Sequence, residues 1–268
     1  MFEWQIKNGV KFLKLTEFER DGVKALFTSR IGGVSKGAYE SLNMAFHTAD
    51  KFDNVKENRR IICDILDINP EFLTAGEQVH GNKVQIVQQK DKGKGAINRN
   101  SIKNIDGLIT NESIPLIAFF ADCVPLFFVD PDNKVIAIAH AGWKGTVLKI
   151  GKIVLQKMIK NCGTNIQSCR VGIGPAISGT NYEVDNNVVR KFKNNFNNCD
   201  KFIEKKANGK YNLSLKSANK ILIQEMGVPS ARIAVSKLCT YDSQNDFYSY
   251  RRDNGKTGRM AALIYFKK

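Results

Sequence analysis

Two histidines and one cysteine, in three separate segments of the chain, could together hold one zinc ion. His80 lies in Gln-Val-His-Gly, Cys123 in Ala-Asp-Cys-Val-Pro and His140 in His-Ala-Gly-Trp. Three imidazole and thiolate donors leave the fourth tetrahedral position of zinc open, and such sites perform catalysis rather than hold a fold together. The residue types therefore predict an enzyme with Zn²⁺ as cofactor, although Cu²⁺ also suits this donor set.

The same residues also have ordinary structural explanations. The chain contains only three histidines, His47, His80 and His140, and a lone histidine beside an apolar stretch is commonly a core or surface group. Cysteine is among the most buried residue types, so Cys123 could simply fill the core. No Cys-x-x-Cys or His-x-x-x-His pair marks a metal site, so spacing alone leaves both explanations open.

The segment around His140 combines a buried strand with a glycine-rich turn. Residues 135–146 predict a strand that ends at His140 and continues, through Gly142 and Gly145, into a helix. Strand ends in α/β folds commonly form sites, and a helix N-terminus favours an anion such as phosphate. A turn that needs glycine for its backbone angles explains the segment equally well.

Other polar side chains could act beside these three. Asp122 adjoins Cys123 in an apolar segment, where it could orient a ligand or move a proton, or serve as a buried structural carboxylate. Pro125 indicates a turn between two strands at Cys123. Arg30, and the pair Arg251 and Arg252, carry planar guanidinium groups that suit phosphate or carboxylate, although an Arg-Arg pair is often only a solvated surface feature.

The elements that must position these residues follow from apolar runs and helical spacing. Strands are predicted at residues 25–28, 84–87, 108–110, 116–120, 126–129, 135–139, 171–173, 233–235 and 261–266. Helices are predicted after an N-cap at Asn54, over residues 147–162 with Gly163 as the stop, and over residues 213–226 after Asn212. This mixture predicts an α/β (α+β) mixed-sheet layered sandwich, with residues 88–103 as an exposed loop.

Composition narrows the class of protein. The length of 268 residues fits one domain over residues 1–268. The net charge of +15 comes from scattered lysines without a nucleic-acid motif, so nucleic-acid binding is not expected to be the main role. We expect no signal peptide and no membrane span. The six cysteines are then most simply reduced thiols in a cytoplasm.

Several segments together resemble the YfiH family, also called the multicopper polyphenol oxidase or purine nucleoside phosphorylase family. They follow one another in order over nearly the whole chain. The matching segments are residues 28–35, 41–43, 106–108, 172–175, 182–184 and 257–260, together with Glu77-Gln78-Val79-His80-Gly81, Ala121-Asp122-Cys123-Val124-Pro125, His140-Ala141-Gly142-Trp143 and Tyr250-Arg251-Arg252-Asp253.

The resemblance implies a mixed α/β fold and a zinc ion bound by His80, Cys123 and His140. It also implies phosphorolysis of adenosine, inosine, guanosine and S-methyl-5′-thioadenosine, with adenosine deamination as a second activity. The partners would then be purine nucleosides and phosphate, and the oligomeric state stays open. One departure is residues 177–181, where relatives often carry cysteines.

Individual roles follow from where the side chains fall in the family motifs. We expect zinc to supply the nucleophile for deamination, with a nearby side chain moving protons, and cationic groups to hold phosphate for phosphorolysis. The phosphate holders are expected to be Arg30, Arg252 and the helix start after Trp143. The expected catalytic residues are Asp122, His47 and Arg252, and the expected substrate-binding residues are Arg30, Asn43 and Arg251.

Two other enzymes remain as alternatives. A copper-dependent polyphenol oxidase would need a separate trinuclear cluster with many imidazoles, and only His47 is left over. A hydrolase that edits peptidoglycan precursors would use Cys123 as nucleophile and His80 or His140 as its base. Metal content distinguishes the second alternative from a zinc enzyme.

Overall fold

The computed structural model describes residues 1–267 and shows two six-stranded sheets packed face to face, with helices outside them. The strands are β1 (Phe2–Lys7), β2 (Val10–Leu15), β3 (Val23–Thr28), β4 (Thr74–Ala75), β5 (Val84–Ile86), β6 (Gly107–Thr110), β7 (Leu116–Phe120), β8 (Val124–Asp130), β9 (Val135–Ala141), β10 (Arg170–Ile173), β11 (Glu183–Val184), β12 (Ile203–Lys205), β13 (Tyr211–Leu213), β14 (Ile233–Val235) and β15 (Met260–Phe266). The helices are α1 (Phe52–Leu66), α2 (Trp143–Val147), α3 (Ile150–Cys162), α4 (Asn186–Lys193) and α5 (Leu215–Glu225). Lys268, the last residue of the predicted domain, lies outside the described residues.

Both large sheets are mixed. The first has the strand order β1-β2-β3-β15-β7-β4 and the second β14-β10-β8-β9-β6-β5, while β11, β13 and β12 form a small third sheet. The pairs β4–β7, β5–β6 and β10–β14 are parallel, and the other strand pairs are antiparallel. The predicted mixed-sheet fold is therefore confirmed.

Three apolar cores lie between four layers, which are helix α1, the first sheet, the second sheet, and helices α3 and α5. Alternate residues of β8 point to opposite faces: Leu126 packs with α3 and α5, whereas Phe127 packs between the sheets. On the far side of the first sheet, Ile62 and Cys63 of α1 pack against Leu263 of β15. Because both faces of the central strands are buried, these strands are apolar along their length, as the sequence indicates.

All nine predicted strands are present, with ends shifted by up to two residues. Six further strands were not predicted: β1, β2, β4, β11, β12 and β13. Strand β1 lies at a sheet edge with mostly exposed side chains, and β4, β11, β12 and β13 are two or three residues long. Such short or exposed segments carry too weak an apolar signal for prediction.

The helix boundaries needed larger corrections. Helix α1 begins at Phe52, so the Asn54 N-cap was wrong; Asn54 instead donates to Asp50 Oδ1 at 3.2 Å. The predicted second helix is two helices, because Lys149 adopts a left-handed conformation with φ of 59°. Gly163 does end α3, with φ of 69°.

The third predicted helix, α5, starts later than expected. Ser214 caps it by accepting the Ser217 N–H, while Asn212 belongs to β13. Helix α4 was not predicted, since only two of its eight residues, Val189 and Phe192, are buried. The apolar face of α4 consists of Val188, Val189 and Phe192 within eight residues, which is too short a pattern to predict a helix.

The segment 88–103 is not the fully exposed loop that was predicted. Asp91 and Ala96 are buried, and the carbonyls of Gly95 and Ala96 accept hydrogen bonds from the buried Arg59 guanidinium. Backbone carbonyls anchor this segment, and a polar composition does not reveal such contacts. Within residues 1–267, no helix combines the length and apolarity needed to cross a membrane.

Candidate active site

The structure brings His80, Cys123 and His140 together, with their donor atoms within 4.8 Å of one another. His80 lies in the loop between β4 and β5, and Cys123 lies in the turn where the chain passes from β7 in one sheet to β8 in the other. His140 is the penultimate residue of β9 and pairs with Pro125 in the register of β8 and β9. The expected turn at Cys123 and strand end near His140 are both present.

The three side chains differ in exposure. His140 is buried, Cys123 is partly buried and His80 is exposed. The cluster is therefore closed on the protein side and open toward a pocket. Two imidazoles and a thiolate in this arrangement fit a tetrahedral metal ion whose fourth position stays accessible.

Asp106 orients two of the three donors. Its Oδ1 lies 2.9 Å from Nδ1 of His140, and its carboxylate accepts the backbone N–H groups of His80 at 3.0 Å and Gly81 at 2.8 Å. With Nδ1 of His140 engaged, Nε2 is the nitrogen left for a metal. Burial opposes ionisation of Asp106, but the bonds to His140 and to the backbone hold its pKa below the usual value.

Sequence reasoning missed this role and considered Asp122 instead. The available signal was an acidic residue immediately before the buried strand β6, which places Asp106 at the same sheet edge as His140. A carboxylate that bonds a ligand histidine typically fixes the tautomer and strengthens the ligand.

A glycine makes room for the three donors. A Cβ on Gly142 would lie 3.0 Å from Cys123 Sγ and 3.0 Å from His80 Cδ2. Gly145, which lies inside α2 rather than before it, is similarly confined, because its Cβ would lie 3.0 Å from the Gly81 carbonyl oxygen. These glycines are needed for close packing around the donors. Helix α2, whose start was expected to hold phosphate, has only five residues, and its role in anion binding stays a prediction.

The backbone is strained at one donor, His80, and immediately before another, Cys123. His80 has φ of 59° and Asp122 has φ of 82°, a region that side chains with a Cβ seldom occupy. Such strain persists only where surrounding contacts hold it, and it commonly accompanies functional sites.

Cys123 and His140 perturb one another. Burial by itself would raise the pKa of the Cys123 thiol, but His140 and His80 lower it below its usual value. Burial would likewise lower the pKa of His140, whereas Cys123 and Asp106 raise it. The site thus favours the thiolate, which is the form that binds metals and acts as a nucleophile.

The donors form one wall of a cavity of about 520 Å³, here called the main pocket. This volume suits a small organic ligand. Three cationic side chains and four large aromatic ones face it: Lys144, Arg251 and Arg259, and Phe119, Trp143, Tyr182 and Tyr250. Such a lining suits a ligand that combines a flat ring with a negatively charged group.

Besides the three donors, two predicted site residues line the main pocket with accessible side chains. His47 faces both the donors and Phe119. The surrounding walls desolvate its imidazole, and with the charge of Arg259 they lower its pKa to about 4. Arg251 lies over the Tyr182 ring at 4.9 Å and donates to the Glu183 carbonyl at 2.9 Å.

Asp122 also lies at the pocket wall, but its carboxylate is occupied. Oδ1 accepts from Thr240 Oγ1 at 2.7 Å, and Oδ2 accepts from Ser249 Oγ at 3.0 Å and from the Arg251 N–H at 2.7 Å. These bonds match the structural alternative considered for this residue. They tie the turn at Cys123 to the C-terminal segment that carries Arg251.

The structure does not bring Arg30 or Arg252 to the main pocket. Arg30 stacks over Tyr248 at 4.8 Å and donates to the carbonyl of Glu40. Arg252 donates to the carbonyls of Thr240, Tyr241 and Phe247 and to the carboxylate of Asp253. Both guanidinium groups therefore brace loops.

Asn43 supports the pocket from behind. It is fully buried, and its Oδ1 accepts the N–H of Arg259 at 2.9 Å. Arg259 is a lining residue that sequence reasoning did not select, although it lies in one of the quoted segments. Burial lowers the pKa of its guanidinium, and its Nη1 donates to the carbonyls of Thr257 and Gly258.

Comparisons with known proteins agree with this fold. The family described as "Multi-copper polyphenol oxidoreductase laccase" matches residues 24–267. The purine nucleoside phosphorylase YlmD of Bacillus subtilis (strain 168) is 41% identical over 248 residues, covering 92% of this chain and 89% of that protein. Adenosine deaminase RL5, from an unknown prokaryotic organism, is 30% identical over 250 residues, covering 92% and 95%.

A solved structure extends the agreement to three dimensions. The crystal structure of the hypothetical protein YfiH from Bacillus licheniformis has a TM-score of 0.94 and 36% identity, covering 98% of this chain and 99% of that one. The resemblance noted in the sequence is confirmed. The chain belongs to the multi-copper polyphenol oxidoreductase laccase family, which includes the YfiH proteins.

Proposed function

We propose that this chain is a zinc-dependent purine nucleoside phosphorylase that also deaminates adenosine, and that residues 1–268 form one domain with this activity. The substrates would be adenosine, inosine, guanosine and S-methyl-5′-thioadenosine. The observation that carries the proposal is an open set of three donors, His80, Cys123 and His140, at the wall of a pocket lined by cations and aromatic rings. The names of two relatives, a purine nucleoside phosphorylase and an adenosine deaminase, support it.

The pocket lining suits both parts of a nucleoside reaction. Tyr182, Tyr250 and Trp143 offer faces on which a purine can stack. Lys144, Arg251 and Arg259 would hold phosphate against the ribose, replacing Arg30 and Arg252 in that role. In phosphorolysis, phosphate attacks the anomeric carbon while the base departs, so positioning and charge stabilisation are the main requirements.

Proton transfer falls to His47 in this proposal. With a pKa of about 4, its imidazole is neutral near pH 7 and can accept a proton. The bonds to Asp122 leave its carboxylate poorly placed for that task. A bound zinc ion would supply Lewis acidity and make a water-derived nucleophile available near neutral pH, which is the chemistry that deamination needs.

The numbers of histidines and cysteines support the proposed metal and compartment. A copper-dependent polyphenol oxidase would need additional imidazoles, and His47 is the one histidine of the chain outside the donor set. The six cysteines have free thiols, which favours a reducing cytoplasm. The peptidoglycan hydrolase alternative is favoured by one observation, the thiolate character of Cys123 beside two histidines.

Incubation with adenosine tests the proposal, and two further assays test the alternatives. Purified protein of known metal content is incubated with adenosine and phosphate, and adenine, inosine and hypoxanthine are separated by chromatography. We expect adenine with ribose 1-phosphate, and inosine, in amounts that follow zinc content. Metal-free protein that hydrolyses a peptidoglycan precursor, and loses this activity when Cys123 is alkylated, would instead support the hydrolase. Copper-dependent oxidation of a phenol would support the oxidase.

A further inference from the structure

A second cavity of about 350 Å³, here called the side pocket, adjoins the main pocket. The two share three lining residues, His47, Gln78 and Phe119. Gln78 is fixed in this shared wall because its side chain both donates to and accepts from the Phe119 backbone, at 2.8 Å each. A ligand in the main pocket therefore has a neighbouring cavity beside His47.

The side pocket contains a buried cation with one free end. Arg59 is 1% exposed and lies between the rings of Phe46, at 4.2 Å, and Phe119, at 4.6 Å. Its Nε donates to the Met44 carbonyl, and its Nη1 donates to the carbonyls of Gly95 and Ala96. Within residues 1–267, its Nη2 has no hydrogen-bond partner and no carboxylate lies within ion-pair distance.

A buried charge without a counter-charge is costly, and the carbonyls compensate the guanidinium only in part. Burial lowers the pKa of Arg59 to about 9. An anion in the side pocket could accept from Nη2 and supply the missing charge. The planar guanidinium fork suits phosphate geometry.

Two further cationic side chains add positive charge to the side pocket. Arg99 and Lys103 are exposed lining residues, and Glu77 is the acidic one. Glu77 lies 3.5 Å from Lys103 and therefore partly cancels it. Three cations against one carboxylate leave the cavity positive, and His47 adds a neutral hydrogen-bonding ring at the boundary with the main pocket.

We propose that the side pocket is an oxyanion subsite that takes a phosphoryl group next to a nucleoside bound in the main pocket. This inference rests on the proposed function. The phosphoryl group has two sources with the same chemistry: the phosphate of a purine nucleotide, or a free phosphate ion additional to the one used in phosphorolysis. The first would make purine nucleotides ligands of this protein.

The test removes the charges at the exposed side of the cavity. Arg59 itself makes buried contacts whose loss can unfold α1, so the informative variant is Arg99→Gln combined with Lys103→Gln. A matched control, Lys160→Gln with Arg190→Gln, removes the same charge from exposed helix positions outside both pockets. Calorimetric titrations with adenosine, AMP and inorganic phosphate are compared for wild type and both variants.

We expect AMP to bind wild type and the control about tenfold more tightly than adenosine, and this advantage to vanish in the Arg99/Lys103 variant. If AMP has no advantage but wild type binds one more phosphate ion per chain than that variant, the subsite takes free phosphate. Unchanged binding of both AMP and phosphate by the variant overturns the subsite. Because the phosphate titration needs neither nucleoside nor turnover, it stays readable even if phosphorolysis is absent.

Discussion

The donor cluster depends on groups that are not donors themselves. The carboxylate of Asp106 bonds Nδ1 of His140 and accepts the backbone N–H groups of Val79, His80 and Gly81. Gly142 leaves the space into which Cys123 and His80 project. A carboxylate and a missing side chain therefore set the geometry of the site as much as the three donors do, and each can be changed without removing a donor.

Replacing Asp106 by asparagine should weaken zinc binding about 10- to 100-fold, the usual effect of losing a carboxylate behind a ligand histidine. The amide keeps the shape but loses the charge-assisted bond to His140. Zinc release to a chromophoric chelator measures the change. Asp130→Asn is the control, because Asp130 is also buried but lies at the other end of β8. Equal zinc affinity in both variants would refute the role given to Asp106.

Replacing Gly142 by alanine should also impair the metal site. The added Cβ would lie 3.0 Å from both Cys123 Sγ and His80 Cδ2, and overpacking of this kind costs about 1–3 kcal/mol. We expect zinc affinity to fall about tenfold or more. Gly151→Ala, in α3, is the matched control, since its Cβ would be similarly close to a side chain, a Leu126 methyl at 3.1 Å, but would approach none of the three donors. Full zinc occupancy in Gly142→Ala at limiting zinc would contradict the prediction.

At the scale of elements, the site is held by connections rather than by helices and strands alone. The turn at Cys123 joins the two sheets, and the short helix α2 turns away from β9 directly after His140. The break between α2 and α3 at Lys149 and the anchored segment 88–103 shape the surroundings of the two pockets. The break depends on the backbone conformation of Lys149, and segment 88–103 contains the buried carboxylate of Asp91. The contribution of each residue to the free energy of unfolding can be measured.

Lys149 is in a conformation that favours glycine, with φ of 59°. We expect Lys149→Gly to raise the free energy of unfolding by about 0.5–1 kcal/mol, because a left-handed residue with a Cβ is strained by about 1–2 kcal/mol and glycine's greater chain entropy offsets part of the gain. Urea denaturation measures it. Gln156→Gly, at an exposed position inside α3, should have the opposite sign and cost about 1 kcal/mol. A destabilised Lys149→Gly protein would show that this break is not strained.

Asp91 should make the anchored segment sensitive to acid. Burial opposes its ionisation, but bonds from Lys94 and from the Gln88 backbone lower its pKa below the usual value. A lowered folded pKa means that the stabilisation is complete above the unfolded value of about 3.9 and is lost as the pH falls through the lower folded value.

Asp91→Asn should therefore lower the free energy of unfolding by about 1–2 kcal/mol at pH 7. The difference from wild type should shrink as the pH falls below about 4. Chemical denaturation across pH 3–7 measures this, with the exposed Asp200→Asn as control. A difference that is constant with pH would mean that Asp91 acts through packing and not through its charge.

At the scale of the whole molecule, we expect the fold to form without the metal. Three apolar cores bury residues from both sheets and from the helices outside them, and the donors lie at the edge of these cores. This situation differs from that of a small zinc domain, which unfolds without its metal. The metal should add stability to a structure that already exists.

Removing zinc with a chelator should abolish both proposed activities but leave the protein folded. Zinc at 100 times its dissociation constant would stabilise the native state by about 2.7 kcal/mol. For a chain of this size we expect the melting temperature to fall by about 5–10 °C on chelation. Calorimetry before and after zinc is restored measures this. Complete unfolding on chelation would contradict the independence of the fold from the metal.

The sequence by itself determined much of the fold and indicated the three side chains that the structure brings together. The central strands are apolar throughout because both their faces are buried, so β7, with all five residues buried, could be predicted to the residue. The edge strand β14 was predicted to the residue from its short apolar run alone, since only Ile233 of it is buried. The donor set could be named because imidazoles are few in this chain and because zinc chemistry restricts the ligand types. Helix α4 and the exposed edge strand β1 could not be predicted, since neither has a long apolar pattern.

Only the tertiary structure decided which charged groups serve the site. A guanidinium is carried on a long flexible side chain, so a motif does not reveal whether Arg30 or Arg259 reaches the pocket. The choice between Asp106 and Asp122 likewise depended on strand register, because the pairing of β6 with β9 sets Asp106 beside His140. Residue types are local properties of a sequence, whereas hydrogen-bond partners are set by packing between segments far apart in the chain.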